Sequence, residues 1–325
     1  MTEAALRYEL YGLSDGNPYR IDPLNPLVHD GDRVMLVDVN GFAAMTETLR
    51  TYLERTAAAN ESAFVVVSGT DFTGRTTVAN HVLDVYSQVR GLGRRLLVTR
   101  IRVENNRDVD SVTAAMVELQ NEIEKAGLTL TPELQSALDA IETIGSTSGE
   151  TIYASRYRAL ARRLHNELSG QSLGEHTFGV VFEGLRQTSL VGRMRKVFED
   201  SRSIAVFTHG AYKHANTPAV DELHTLDAHL IRLRSLDGPQ IRCVAEERWK
   251  GASPLPSPFP PDSLEVVWSE PAPIKSVVKM LGAWIDFRLR TSADGGAWPE
   301  NTELEIGRQF MTATIDLLRT LGHSS

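Results

Sequence analysis

The residues with the clearest chemical potential in this 325-residue chain lie in SGTDFTGRTT, residues 68–77. Gly69 and Gly74 stand at the spacing of a phosphate-binding loop, G-x-x-x-x-G-K-[ST], with Thr76 at the hydroxyl position and Arg75 where lysine is usual. The chemistry this spacing serves is anion binding. A glycine-rich backbone turns its N–H groups toward phosphates at the positive end of a helix dipole. The run Gly69, Thr70, Asp71, Phe72, Thr73, Gly74, Arg75, Thr76 and Thr77 is therefore the expected cradle for ATP or ADP, with the Thr76 hydroxyl directed at Mg²⁺. Arginine is longer and planar but can still make a bidentate phosphate contact, so the loop speaks for nucleotide binding more clearly than for catalysis.

A second candidate is acidic. The apolar run FGVVF ends in Glu183, followed by Gly184, so one carboxylate stands where an efficient phosphate-releasing site shows two. Glu183 is the expected partner of the metal or of the attacking water. The next apolar run ends in Thr208 and His209, and Thr208 is placed to sense a γ-phosphate. The nine histidines never pair at metal-ligand spacing, and the single Cys243 excludes an internal disulfide and a Cys-rich zinc site.

The elements that must hold these residues alternate in type. Residues 41–59 read as an amphipathic helix, with Met45, Leu49, Tyr52 and Leu53 on one stripe. FVVVS, residues 64–68, is apolar and β-branched, as a buried parallel strand requires. Val78, Val82, Val85, Tyr86 and Val89 then recur at helical spacing until Gly91 and Gly93. Further strands are expected within residues 94–103, 176–185, 203–210 and 229–236, and helices over residues 108–127, 131–144, 151–168, 274–290 and 301–321. Residues 1–40 are turn-rich, residues 145–150 form a flexible break, and PLPSPFPPD, residues 254–262, is a linker with five prolines. Strands alternating with helices imply an α/β fold with a mostly parallel sheet covered on both faces. The expected division is a nucleotide-binding domain over residues 1–250 and a small helical C-terminal subdomain over residues 263–325.

The order of these parts resembles the AAA-type P-loop ATPases, and within them the origin-recognition and the transposition- and secretion-helper group. YELYGLSDGNPYRIDPLNPL, residues 8–27, is similar to the opening "Y-G-L…N-P-[FY]" segment of those proteins, and a helix precedes the loop strand in both. The resemblance spans roughly residues 8–250. It implies that residues 69–77 are Walker A, that Glu183 is what remains of Walker B, that Thr208 is the first sensor, and that Arg248, on the helix after the last strand, is the only candidate for a lid arginine. Three departures accompany it: Arg75 replaces lysine, the Asp-Glu pair is reduced to Glu183, and residues 211–228 contain no arginine finger. Each bears on hydrolysis rather than on folding.

Bulk composition narrows the partners. The net charge of −8 argues against a protein that coats nucleic acid, although a local basic patch would still permit such a partner. Arg156, Arg158, Arg162 and Arg163 fall on two faces of one helix, the pattern of a solvated basic surface. The N-terminus lacks the pattern of a secretion signal and no window has the length of a spanning helix, so a cytoplasmic protein without membrane association is expected. Three functions remain open on these residues: a nucleotide-binding regulatory or assembly protein with slow or no hydrolysis, read by protein partners or further copies of itself; an active ATPase or P-loop small-molecule kinase; and a scaffold whose loop is a relic.

Overall fold

A computed structural model describes residues 8–103, 108–141, 150–171, 175–185, 189–210, 228–293 and 305–322. After a 3-10 turn at Tyr8–Tyr11, the elements run α1 (Asp30–Val34), α2 (Phe42–Ala58), β1 (Ala63–Gly69), α3 (Arg75–Val89) and β2 (Leu96–Arg102). There follow α4 (Asp108–Lys125), α5 (Pro132–Asp139), α6 (Glu150–Ser169), β3 (Thr177–Leu185), α7 (Ser189–Phe198), β4 (Ile204–Gly210) and β5 (His229–Arg232). The chain closes with α8 (Gly238–Lys250), α9 (Pro261–Val267), α10 (Ile274–Ala293) and α11 (Arg308–Gly322).

The five strands form one sheet in the order β2-β3-β4-β1-β5, and every pairing is parallel. Alternation along each strand sends side chains to opposite faces. On one face Phe64, Val66, Phe178, Val180, Phe182 and Phe207 pack under α4–α7. On the other, Val65, Val67, Val181, Ile204, Val206 and Ile231 pack under Leu49 and Leu53 of α2 and the apolar side of α3. Helices therefore cover both faces, as the alternating sequence implies. Gly179 on β3 permits this closeness: a Cβ there would come within 3.0 Å of Ile204 Cγ2 and 3.1 Å of Leu83 on α3.

A third apolar core lies beyond the sheet. Tyr11, Leu13 and Tyr19 of the N-terminal segment pack with Ile241, Val244 and Trp249 of α8, Phe259, and Val277, Leu281, Trp284 and Ile285 of α10. The opening segment is thus built into the helical layer of the far end of the chain. Asn17 Nδ2 donates to the Gly282 carbonyl at 3.0 Å and to Asp286 Oδ1 at 2.8 Å, and the Tyr19 hydroxyl donates to the Ala245 carbonyl at 2.6 Å. The α8 end is fixed by a reciprocal cap, in which Asp237 accepts from the Gln240 N–H while the Gln240 side chain accepts from the Asp237 N–H.

Several expected boundaries shift. The strand expected over residues 229–236 ends at Arg232, and Leu236 instead forms an isolated antiparallel bridge with Ala272. The helix expected over residues 131–144 ends at Asp139. Short helices α1, α7 and α9 arise in stretches where the sequence reading expects no helix, and α9 begins on Pro261 at the end of the proline-rich stretch, where a missing N–H costs a helix nothing. The break expected over residues 145–150 lies, apart from Glu150, outside the described residues. No helix among the described residues is long and apolar enough to cross a membrane.

Candidate functional site

β1 ends at Gly69 and α3 begins at Arg75, so the predicted loop leaves a buried central strand and opens a helix. It lies where β1 sits between β4 and β5 and the chain order of the sheet reverses, the region in which open α/β sheets form ligand crevices. Its backbone depends on glycine at two points. A side chain on Gly69 would clash with Thr73 Oγ1, and Gly74 caps α3 in the left-handed region at φ 90°. Phe72 also adopts positive φ, at 66°, with its ring exposed, and the Thr73 hydroxyl closes the turn by donating to the Thr70 carbonyl at 2.7 Å.

Above the loop is a cavity of about 300 Å³, at the small end of the range for ligand pockets. Asp71 to Val78 form its floor, Arg20–Leu24 and Met35–Phe42 one side, and Leu236, Arg248, Ile274, Lys275 and Val278 the other. Three distant parts of the chain converge there: the loop, the N-terminal segment and the C-terminal helices. The lining is mostly apolar toward the N-terminal segment and polar at the loop, the division expected for a ligand with an apolar ring at one end and a charge at the other.

The loop side chains have local partners. Arg75 turns back on Asp71, with Nη2 and Oδ1 2.7 Å apart, so its guanidinium is engaged within the loop. Thr77 Oγ1 accepts from the Leu24 N–H at 3.2 Å and so fastens the N-terminal segment to α3. Thr76 lies half-buried in the first turn of α3. Arg248 is buried in the cavity wall; its Nε and Nη1 have no hydrogen-bond partner among the described residues. Burial pulls its pKa down to about 10, with Tyr19 and Asp32 acting in the opposite direction and Arg20 reinforcing the drop. These neighbours belong to the N-terminal segment.

Glu183 and Thr208 come together at the carboxyl ends of β3 and β4, directly opposite in register. The register breaks immediately afterward, where Gly184 adopts φ 82° and donates its N–H to Thr208 Oγ1 at 3.2 Å. Neither residue is among those that line the cavity. Glu183 is instead paired: Arg100, on β2, places Nη1 3.3 Å from Glu183 Oε1 and directs Nη2 to Asn80 Oδ1 on α3. Asn80 is itself buried and donates to the Leu24 carbonyl at 2.7 Å. Beside Thr208, His209 is buried and bonds Ser68 Oγ through Nδ1 at 3.1 Å; burial, then the nearby Arg75 charge, lowers its pKa.

The donor set fits a magnesium ion poorly. Thr76 supplies a hydroxyl, but the carboxylate expected beside it carries a guanidinium, and the neighbouring position is Gly184. Among the described residues no group of three or more His, Cys, Asp or Glu side chains could hold a metal. The segment over residues 211–228 that was read for an arginine finger lies, but for Ala228, outside the described residues. The basic helix is a surface: Arg158 bridges Glu199 at 2.6 Å and Asp200 at 2.7 Å.

Sequence reading missed Arg100, whose role depends on strand register, and Lys275. The N–H of Lys275 donates to the Phe72 carbonyl at 3.0 Å, and its ammonium lies 5.4 Å from the Phe72 ring centre. Lys275 thereby brings a positive charge from the start of α10 to the loop, a signal visible in sequence only as one lysine two residues after Pro273.

No family model and no curated protein sequence matches the chain. Solved structures do. The ORC1 protein of Aeropyrum pernix in complex with DNA is 16% identical, with 88% of this chain and 68% of that one covered at a TM-score of 0.51. The ORC2 protein of the same organism in its ADP form is 12% identical, covering 88% and 73% at a TM-score of 0.51. Cdc6p from Pyrobaculum aerophilum is 11% identical, covering 80% and 66% at a TM-score of 0.50. At these identities the likeness is one of fold: the chain has the AAA-type P-loop fold, in the form seen in these origin-recognition proteins.

Proposed function

We propose that the chain is a nucleotide-binding regulatory or assembly protein, with ATP or ADP bound in the cavity over residues 69–77 and hydrolysed slowly or not at all. The observation that carries this reading is the cavity's construction. Its floor is the phosphate-binding loop, and its two walls come from opposite ends of the chain, so a ligand filling it would tie the N-terminal segment and the C-terminal helices to the sheet. A ligand held by three parts of a fold biases their relative positions, which is what a switch read by protein partners or by further copies of the chain requires. The ADP form of the ORC2 structure supports the choice of nucleotide. The ORC1 structure is a DNA complex, but the net charge of −8 and the ion-paired basic helix here favour a protein partner.

Slow hydrolysis follows from the acidic position. Stabilising a transferring phosphoryl group needs a basic side chain, a metal and a water-orienting base acting together. Here Arg75 is held by Asp71, Glu183 is held by Arg100, and Gly184 brings no side chain. Phosphate release from ATP by the purified full chain is expected to run well below the ordinary enzyme median of about 10 s⁻¹. Any residual rate should vanish in Glu183→Gln while nucleotide stays bound. Brisk turnover by the wild-type chain alone would establish an active ATPase instead, and turnover that survives Glu183→Gln would move the base elsewhere.

A further inference from the structure

The arrangement around Glu183 bears on what neutralises a bound nucleotide. Asn80 follows Thr76 by one helical turn on the same face of α3, so their side chains are neighbours. Arg100 bonds Asn80 Oδ1 with one Nη and reaches Glu183 Oε1 with the other. Its guanidinium thus links the face of α3 one turn below Thr76, which lines the cavity, to the acid at the end of β3; Arg100, Asn80 and Glu183 themselves lie just outside that lining. Asn80 is fixed by the Leu24 carbonyl, and the Arg100 side chain keeps 34% of its surface exposed on the solvent side. The guanidinium is held on two sides and partly open to solvent.

We infer that Arg100 takes the place of the metal ion: the chain binds its nucleotide without requiring Mg²⁺, with the Arg100 guanidinium supplying positive charge between Thr76 and Glu183. This inference rests on the nucleotide reading above. A divalent ion entering that gap would face a fixed positive charge and a carboxylate already neutralised, which removes most of what attracts it. A guanidinium offers a phosphate several directed N–H donors and stays charged at every accessible pH, so it can serve as a permanent counter-charge. Gly184 fits the same picture, since no second carboxylate remains to draw the metal's water shell.

The test is a titration of the full chain with a fluorescent ATP analogue, once in excess Mg²⁺ and once in excess EDTA. Wild type is expected to bind in both with affinities within about threefold of each other. Arg100→Gln keeps an amide for Asn80 but removes the charge and releases Glu183. Its affinity in EDTA should drop by about tenfold or more, and Mg²⁺ should restore most of it. Arg100→Lys retains the charge and should remain indifferent to Mg²⁺, which keeps the comparison decisive if the glutamine variant folds poorly. A wild-type affinity that falls about tenfold in EDTA overturns the inference and leaves the nucleotide reading standing. A folded Arg100→Gln chain as indifferent to Mg²⁺ as wild type also overturns it. Absence of binding in every condition overturns the nucleotide reading, and this inference with it.

Discussion

At position 75 the loop carries arginine, and the side chain is spent on a neighbour: Nη2 lies 2.7 Å from Asp71 Oδ1, with the aspartate 69% exposed. An ion pair so open to water is worth at most about 1 kcal/mol, whereas a charge-assisted hydrogen bond to phosphate contributes about 1.5–3 kcal/mol. A bound nucleotide should therefore draw Arg75 away from Asp71. Arg75→Ala is expected to weaken nucleotide affinity by about 1.5–3 kcal/mol. Asp71→Asn, which leaves Arg75 free beforehand, should tighten it by up to about 1 kcal/mol. Titration of both variants checks the pair, and an Asp71→Asn chain that binds more weakly than wild type would mean the aspartate positions the arginine rather than competing for it. The glycines and hydroxyls of this loop were legible in the sequence, because their spacing follows from what a phosphate needs of a backbone. The partners of Thr77 and Glu183 were not. Leu24 and Arg100 meet them only through the way α3 and β2 pack, which no local pattern encodes.

Among the elements, β1, β3 and β4 were readable because burial on both faces leaves almost unbroken apolar runs such as FVVVS and FGVVF, whereas the edge strand β5 showed only as an alternation of apolar and polar residues. Helices α2, α3 and α10 were readable from their stripes. Helix α7 was missed because its basic residues Arg193, Arg195 and Lys196 obscure a stripe made by Leu190, Val191, Met194 and Val197, all of which are buried. The α2–α3 contact carries a pH prediction. His81 on α3 bonds Thr46 Oγ1 on α2 at 3.0 Å and lies tilted against Phe42, with ring centres 4.7 Å apart. Burial lowers its pKa from 6.5 to about 4; Asp84 opposes that shift, and Arg50 and Arg33 add to it. The folded state thus holds the neutral imidazole, and the stability it contributes is complete above pH 6.5 and lost as pH falls toward 4. The whole window is worth roughly 3 kcal/mol. His81→Gln keeps a donor for Thr46 and should flatten the fall of Tm between those pH values. An unchanged slope would assign the acid sensitivity to other groups.

For the molecule as a whole, the N-terminal segment and the C-terminal helices share one core and together wall the cavity. The sequence suggested the segment's importance only through its resemblance to "Y-G-L…N-P-[FY]"; that residues 8–19 dock on α8 and α10 depends on contacts across more than 200 positions, such as Asn17 to Gly282. Gly282 marks how tight this docking is, because a Cβ there would stand 2.9 Å from the Tyr19 carbonyl oxygen. Gly282→Ala should push the segment away, cost about 1–3 kcal/mol of stability in thermal melts, and weaken nucleotide binding through the displaced wall. A melt equal to that of wild type would show that the segment gives way freely.

The central claim is that the cavity over residues 69–77 is a nucleotide site. Calorimetric titration of ATP into the full wild-type chain tests it most directly, because it needs neither turnover nor a labelled ligand. The account predicts a saturable heat with one nucleotide per chain, lost or strongly weakened in Arg75→Ala. A folded chain that gives no saturable heat with millimolar ATP or ADP would contradict it.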